Sequence, residues 1–204
     1  MKPLLVVSAG LVHPNLRCRR SLKKVLSGIK GVSFVYTSDI NDLASLKLGL
    51  YTSVILYFQK SGISDSALEA MESFVFNGGG LMAIHSASAS FKQSERYYNL
   101  IGGKFVSHGK IADFKVKPLK KPSGLFKGIT GFNVFDELYL HRYKEDVSVH
   151  FYTEVDKRKE PVVWTRELGK GKIAYCSLGH CAPIFKVPQV KQIIEHSVRW
   201  INSR

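Results

Sequence analysis

The stretch Gly78-Gly79-Gly80-Leu81-Met82-Ala83-Ile84-His85-Ser86-Ala87-Ser88-Ala89-Ser90 decides the fold. It reads as a glycine turn, a short buried strand and a run of small residues that opens a helix. His85 stands where strand meets helix, with Ala83 and Ala87 two residues to either side. A nucleophile elbow needs that pattern, because its turn is so tight that only small residues fit at minus two and plus two. Such elbows carry Ser or Cys, whereas this one carries an imidazole. The expectation is a nucleophilic α/β architecture whose nucleophile has been replaced by histidine.

Working outward, residues 4–8, 32–37, 53–58 and 81–84 are apolar runs of the kind found in central parallel strands buried on both faces. Helical patterns lie between them. Residues 16–26 alternate basic and apolar residues, Asp42 can cap a short helix to residue 48, and Ser64 opens a helix with Leu68, Met71, Phe74 and Val75 on one face. This β-α-β-α-β-α-β order predicts an α/β fold with a three-layer, doubly wound, mostly parallel sheet and right-handed crossovers. The second half is richer in strands, expected at 103–107, 111–118, 147–154, 161–165 and 172–177. Residues 120–129 read as a loop, 133–141 as one apolar-acidic run, and 167–171 as a hairpin-like turn. Residues 189–201 form an amphipathic helix with Val190, Ile193, Ile194, Val198 and Ile201 inward. With no repeat, linker or composition break, 1–204 reads as a single domain.

Composition narrows the class. The 204 residues are 45% hydrophobic and 23% charged, ordinary for a globular chain. Cys18, Cys176 and Cys181 show no paired spacing, which argues against a disulfide framework or a cysteine zinc site and fits a cytoplasmic location. No apolar run approaches the roughly 20 residues that span a bilayer, and the start reads as a strand rather than a signal, so no membrane partner is expected. The net charge of +14 is high. Its basic clusters (Arg17, Arg19, Arg20, Lys23 and Lys24; Lys115, Lys117, Lys120 and Lys121) lack interleaved aromatics and any nucleic-acid motif. They read as solvated surface, with no nucleic-acid partner expected, against the alternative of attraction to an anionic lipid or a phosphorylated substrate.

In open α/β sheets ligands bind beyond the carboxyl ends of the strands. Just after the apolar runs lie Ser8, Gly10 and His13, then Asp39, then Gln59 and Lys60, then His85, Ser86 and Ser88, and finally His180. Of seven histidines, His85, His108 and His180 each follow a strand beside glycine or serine, which leaves room for a ligand; His150 and His196 read as structural or surface. Asp136-Glu137 places paired carboxylates inside an apolar run, where burial demands a partner such as histidine, arginine or a sugar hydroxyl.

Taken together, Gly78-Gly79-Gly80, Ile84-His85-Ser86-Ala87, Tyr97-Tyr98, Ile101-Gly102-Gly103, His108, Asp136-Glu137-Leu138-Tyr139, Pro161-Val162-Val163-Trp164 and Ser177-Leu178-Gly179-His180 resemble the trehalose-utilisation (ThuA-like) family over nearly the whole chain. The resemblance implies a flavodoxin-like fold of the class I glutamine amidotransferase-like superfamily and a link to sugar metabolism. True amidotransferases of that superfamily carry cysteine at the elbow and end a later strand in His-Pro-Glu. Here His85 replaces the cysteine, and His180 is followed by Cys181-Ala182-Pro183, so glutamine hydrolysis is not expected. His13 resembles the histidine of the loop after the first strand, and Asp39 the acidic residue after the second.

The resulting expectation is a small-molecule site for a carbohydrate or oxidised sugar. His85, His180 and Glu137 are the catalytic candidates, suited to proton transfer near neutral pH. His13, Asp39, Gln59, Ser86, His108, Asp136, Tyr139 and Trp164 are the substrate-binding candidates. No cofactor is expected; a divalent metal at His85, His108 and His180 is the alternative, since three imidazoles with an open position suit catalytic zinc. A non-catalytic binding module is the other alternative. A homodimer is an expectation by analogy with doubly wound domains.

Overall fold

The computed structural model describes residues 2–10, 14–120 and 124–203. Strand β1 (Leu4–Ala9) is buried along its whole length, as are β3 (Ser53–Phe58) and β4 (Gly80–Ile84). Helix α1 (Leu16–Ser27) follows β1. Its N-cap Asn15 accepts from the backbone N–H of Cys18, and it buries Cys18, Leu22 and Leu26, four residues apart on one face. The edge strand β2 is short, Phe34–Thr37 rather than 32–37, and the helix expected from Asp42 is a single 3₁₀ segment, Ile40–Ser45, capped by Asp39. Helix α2 (Asp65–Phe76) is capped by Ser64 and buries Leu68, Met71, Phe74 and Val75 as its periodicity dictates. After β4 the small residues form one 3₁₀ turn, His85–Ala89, and the next helix, α3 (Glu95–Ile101), begins only at a new cap, Ser94. Serine and alanine there give no apolar stripe to hold a longer helix against the sheet.

The second half contains β5 (Gly103–His108), β6 (Ala112–Pro118), β7 (Phe132–Asp136), β8 (Tyr139–Tyr143), β9 (Ser148–Val155), β10 (Arg158–Leu168), β11 (Gly171–Cys176) and helix α4 (Pro188–Asn202). Nine strands form one sheet in the order β2-β1-β3-β4-β11-β10-β9-β6-β7. β2, β1, β3, β4 and β11 are mutually parallel, and the neighbours from β10 onward pair antiparallel. The run 133–141, read as one segment, is two strands with different partners: β7 pairs with β6, whereas β8 leaves the sheet and pairs with β5. Glu137 sits at that break.

Alternate strand residues feed two cores. Leu4, Val6, Ile55, Met82 and Ile84 pack against α1 and α4, whereas Leu5, Val7, Val54, Leu56 and Leu81 pack against α2 and α3. Each such side chain contributes roughly 1.5–3 kcal/mol on burial. The glycine turn has a steric cause: a Cβ on Gly80 would lie 2.2 Å from the carbonyl oxygen of Ile201 at the end of α4. What matters for the site is register. In the parallel pair β4–β11, Ile84 lies opposite Cys176, so the residues that follow, His85 and Ser177, leave the sheet side by side.

Candidate functional site

His85 has φ +44°, the left-handed region that a non-glycine residue adopts at a cost of about 1–3 kcal/mol. Several contacts hold it there. The hydroxyls of Ser88 and Tyr175 each lie 3.1 Å from the His85 carbonyl oxygen. Gly179 presses on the other side: a Cβ at that position would lie 2.9 Å from the His85 Cβ. Ring position is fixed as well. Nδ1 donates to the carbonyl of Ser177 at 2.7 Å. A carbonyl only accepts, so Nδ1 carries the hydrogen and Nε2 is the atom presented to the site. The elbow expected at His85 is therefore present, with the strained backbone that such turns require.

Glu137 is the centre of the arrangement. Its Oε2 lies 3.0 Å from Nδ1 of His180 and 3.8 Å from Nε2 of His85, and its Oε1 lies 2.9 Å from Nδ1 of His108. Nδ1 of His108 also reaches the carbonyl of Gly109 at 2.8 Å, so that nitrogen is a donor shared between two acceptors. Exposure falls steeply across the group. The His108 side chain is 45% exposed and His180 15%, whereas His85 is 2% exposed, which sets a wet entrance and a dry interior. Tyr139 closes one wall, its ring 4.0 Å from the His85 ring between centroids, and Phe105 packs against Tyr139 at 4.4 Å. Burial, with the nearby Glu137 charge adding to it, raises the Tyr139 phenol far enough that it stays neutral.

The neighbouring carboxylate does different work. Asp136 is fully buried and accepts the backbone N–H groups of Gly179 (2.8 Å), His180 (3.3 Å) and Cys181 (2.9 Å). Burial raises its pKa above the usual carboxylate value, and these backbone donors oppose that rise. Expected as a substrate contact, it is placed under the turn that carries His180 and shapes that turn. Trp164, likewise expected as a contact, is placed in the core. It is fully buried, stacks on Tyr175 at 4.0 Å and donates Nε1–H to the carbonyl of Ile101, which leaves no face for a ligand. Ser86 is fully buried beside the elbow. Asp39 is exposed and caps its 3₁₀ segment, and Gln59 lines a separate cleft at the ends of β1 and β3. His13 lies outside the described residues.

A second buried layer was not read from the sequence. Glu160 Oε1 accepts the backbone N–H of His141 at 3.0 Å and its ring Nδ1–H at 3.1 Å. Nε2 of His141 lies 3.0 Å from the Tyr175 hydroxyl, which lies 2.7 Å from Ser88 Oγ. This chain ends on the His85 carbonyl. Burial lowers the pKa of His141, and Glu160 opposes that shift. The available signal was the period of two in β8, which puts His141 on the same face as Tyr139.

Chemically the site offers a buried imidazole nitrogen, a carboxylate that gathers three rings, and an aromatic wall. The ligand atoms of His85, Glu137 and His180 all lie within 4.8 Å of one another, close enough to share a cation. No thiolate takes part. The elbow residue is His85, and burial pushes the Cys181 thiol up to about 11, so it stays protonated at neutral pH.

A comparison with curated proteins gives no match. Among solved structures, a ThuA-like protein of Bacteroides uniformis ATCC 8492 superposes with a TM-score of 0.82 at 19% identity, over 98% of this chain and 91% of that one. A ThuA-like protein of Parabacteroides merdae ATCC 43184 gives 0.83 at 19% identity, over 100% and 90% of the two chains. A cytoplasmic protein of Salmonella typhimurium LT2 gives 0.68 at 15%, over 99% and 97%. Likeness at these identities shows the fold. The family model ThuA, described as trehalose utilisation, matches residues 3–201. The chain therefore belongs to the ThuA family, within the class I glutamine amidotransferase-like superfamily.

Proposed function

We propose that this chain is a carbohydrate-processing enzyme that transfers a proton at an oxidised sugar. The observation that carries the reading is the convergence of His85, His108 and His180 on the single carboxylate of Glu137. With Nδ1–H held by Ser177, His85 receives a proton at Nε2. The imidazolium then faces Glu137 Oε2 at 3.8 Å. At an effective dielectric constant of about 20, opposite charges at that range attract by about 4 kcal/mol, which offsets the cost of charging a buried ring. His180, on the same carboxylate oxygen, serves as the second proton carrier. Phe105 and the exposed His108 ring offer faces to the sugar. The family description is the support for the substrate class, and the buried imidazole–carboxylate pair is the support for the reaction type.

The test is turnover of trehalose, its keto derivative and the corresponding monosaccharides, read by chromatography. Activity on one of them should fall by about 10²–10⁴-fold in His85→Ala, His180→Ala and Glu137→Gln, the range for loss of a general acid or base. Unchanged turnover in these variants, or neither turnover nor binding across the set, rejects the assignment.

One observation favours a second reading. The clustering of His85, Glu137 and His180 donor atoms matches a two-histidine, one-carboxylate metal set with open positions for substrate. The Ser177 carbonyl on His85 and the His108 ring on Glu137 would then orient the ligands from behind. Elemental analysis before and after chelation, with melting temperatures measured in added zinc or manganese, separates the two readings. A metal that raises the melting temperature of the wild type and not of Glu137→Gln selects the second.

We further read residues 1–204 as one domain with its sheet covered on both faces as a three-layer, doubly wound unit. Its ligand is a small molecule met in the cytoplasm, the location named for the Salmonella neighbours. No helix of the described residues is long and apolar enough to cross a membrane.

A further inference from the structure

A second recess lies away from the histidine centre, at the C-terminal ends of β1, β2 and β3. The chain passes from β1 through α1 to β2 on one side, then returns to place β3 on the other side of β1, so the strand order reverses here. In open α/β sheets that reversal opens a crevice where ligands bind. A cleft of about 740 Å³ occupies the position. Its charged lining is entirely cationic: Arg19 from α1, Lys60 after β3 and Lys92 after the elbow turn, with Gly10, Ser38 and Gln59 between them. Among the described residues, none of these three cations forms an ion pair with a carboxylate, whereas Lys104, Lys117, Arg96, Arg142, Arg166 and Arg199 each do. Lys92 instead lies over the Phe105 ring at 5.3 Å.

The walls are held in place. The Lys60 N–H donates to Ser90 Oγ at 3.1 Å, and the Phe91 N–H donates to the Lys60 carbonyl at 2.9 Å. Phe91 itself is kept at φ +50°, a strained conformation of the kind that collects at functional sites. A neighbouring cavity of about 280 Å³ shares Arg19 and Ser38 with the cleft and is lined also by Ser8. Ser8 is 8% exposed, and its hydroxyl has no hydrogen-bond partner among the described residues. Leaving a buried hydroxyl without a partner is costly, and an acceptor oxygen in the cavity would recover that cost.

We propose that this switch-point cleft binds the phosphate group of a small phosphorylated ligand, with Arg19 as the two-pronged donor and Lys60 and Lys92 as point charges. Three cations held on rigid backbone around one recess match a dianion better than a neutral sugar. The proposal does not depend on the chemistry assigned to His85. It also gives part of the +14 net charge a definite location instead of a diffuse surface role.

The test is titration calorimetry at fixed ionic strength with inorganic phosphate, glucose 6-phosphate, adenosine monophosphate and unphosphorylated glucose. Glucose 6-phosphate or adenosine monophosphate should bind at least tenfold more tightly than glucose, and the arms show whether sugar, nucleoside or phosphate alone completes the ligand. Arg19→Gln and Lys60→Gln should each weaken that binding at least fivefold. His180→Ala should leave it unchanged, which separates this site from the histidine centre, and so should Lys127→Gln, an exposed charge elsewhere. Equal affinity for glucose and its phosphate overturns the proposal. So does a phosphate affinity that Arg19→Gln leaves within twofold, or one that Lys127→Gln reduces as much as Arg19→Gln does.

Discussion

Asp136 and His180 are joined through the backbone: the His180 N–H donates to Oδ2 of Asp136, while the next residue, Glu137, receives the His180 ring. Two consecutive carboxylates thus hold one histidine, the first by its main chain and the second by its side chain. Asp136→Asn keeps the shape but offers one acceptor oxygen to three backbone donors. It should destabilise the fold by about 1.5–3 kcal/mol in urea unfolding, the range for hydrogen bonds to a charged group. It should also weaken ligand binding at Glu137 by moving His180. A variant as stable as the wild type would show that the turn is held by other contacts.

Gly179 is placed against the strained elbow. A Cβ there would lie 2.9 Å from the His85 Cβ and 3.2 Å from Ile84 Cγ2, both in packed surroundings. Gly179→Ala should cost about 1–3 kcal/mol by overpacking. It should also reduce activity beyond what its stability accounts for, because relief requires His85 to move. Thermal unfolding together with turnover well below the melting temperature checks both effects.

Two buried histidines make stability depend on pH. Burial lowers the pKa of His141 and of His150 below the ordinary value of 6.5. Below pH 6.5 the unfolded chain takes up protons at these rings while the folded chain resists them. Stability is therefore present above pH 6.5 and lost as pH falls from 6.5 toward the folded values. His150, whose Nε2 meets Thr165 Oγ1 at 2.7 Å, is the better probe, since glutamine can keep that contact. His150→Gln should lose less stability between pH 7 and pH 5 in urea titrations, by up to about 1.4 kcal/mol per pH unit. Parallel profiles for variant and wild type would contradict this account.

Cysteine chemistry should be quiet. Burial pushes Cys181 up to about 11 and Cys176 up to about 12. At pH 8 the Cys181 thiolate fraction is then on the order of 10⁻³, so iodoacetamide should label the native protein at least tenfold more slowly than the urea-unfolded chain. Rapid labelling of Cys181 in the native state would reopen a thiol mechanism.

Much of the framework was legible along the chain. Continuous apolar runs marked β1, β3 and β4, a cap at Ser64 opened α2, and small residues around His85 marked the elbow, because each signal rests on neighbours within one turn or strand. The split of residues 133–141 was not legible. An apolar-acidic run carries no mark of which partner each half will choose, and β7 and β8 choose different ones. Trp164 shows the same gap: an aromatic residue in a strand reads alike whether it faces a sugar or the core, and here the indole N–H finds its acceptor in Ile101.

By itself the sequence determined the alternation of strands and helices, the histidine at the elbow and the absence of a cysteine there. Those are properties of local spacing, fixed by the geometry of the backbone and the volume of neighbouring side chains. Only the tertiary structure decided that Glu137, lying 52 residues beyond His85 and 43 before His180, collects both rings, and that Asp136 beside it does not. The reason is that β4 and β11 are adjacent and parallel, whereas the chain from β7 to β8 crosses over their ends, a meeting set by strand pairing at long range that no local pattern encodes.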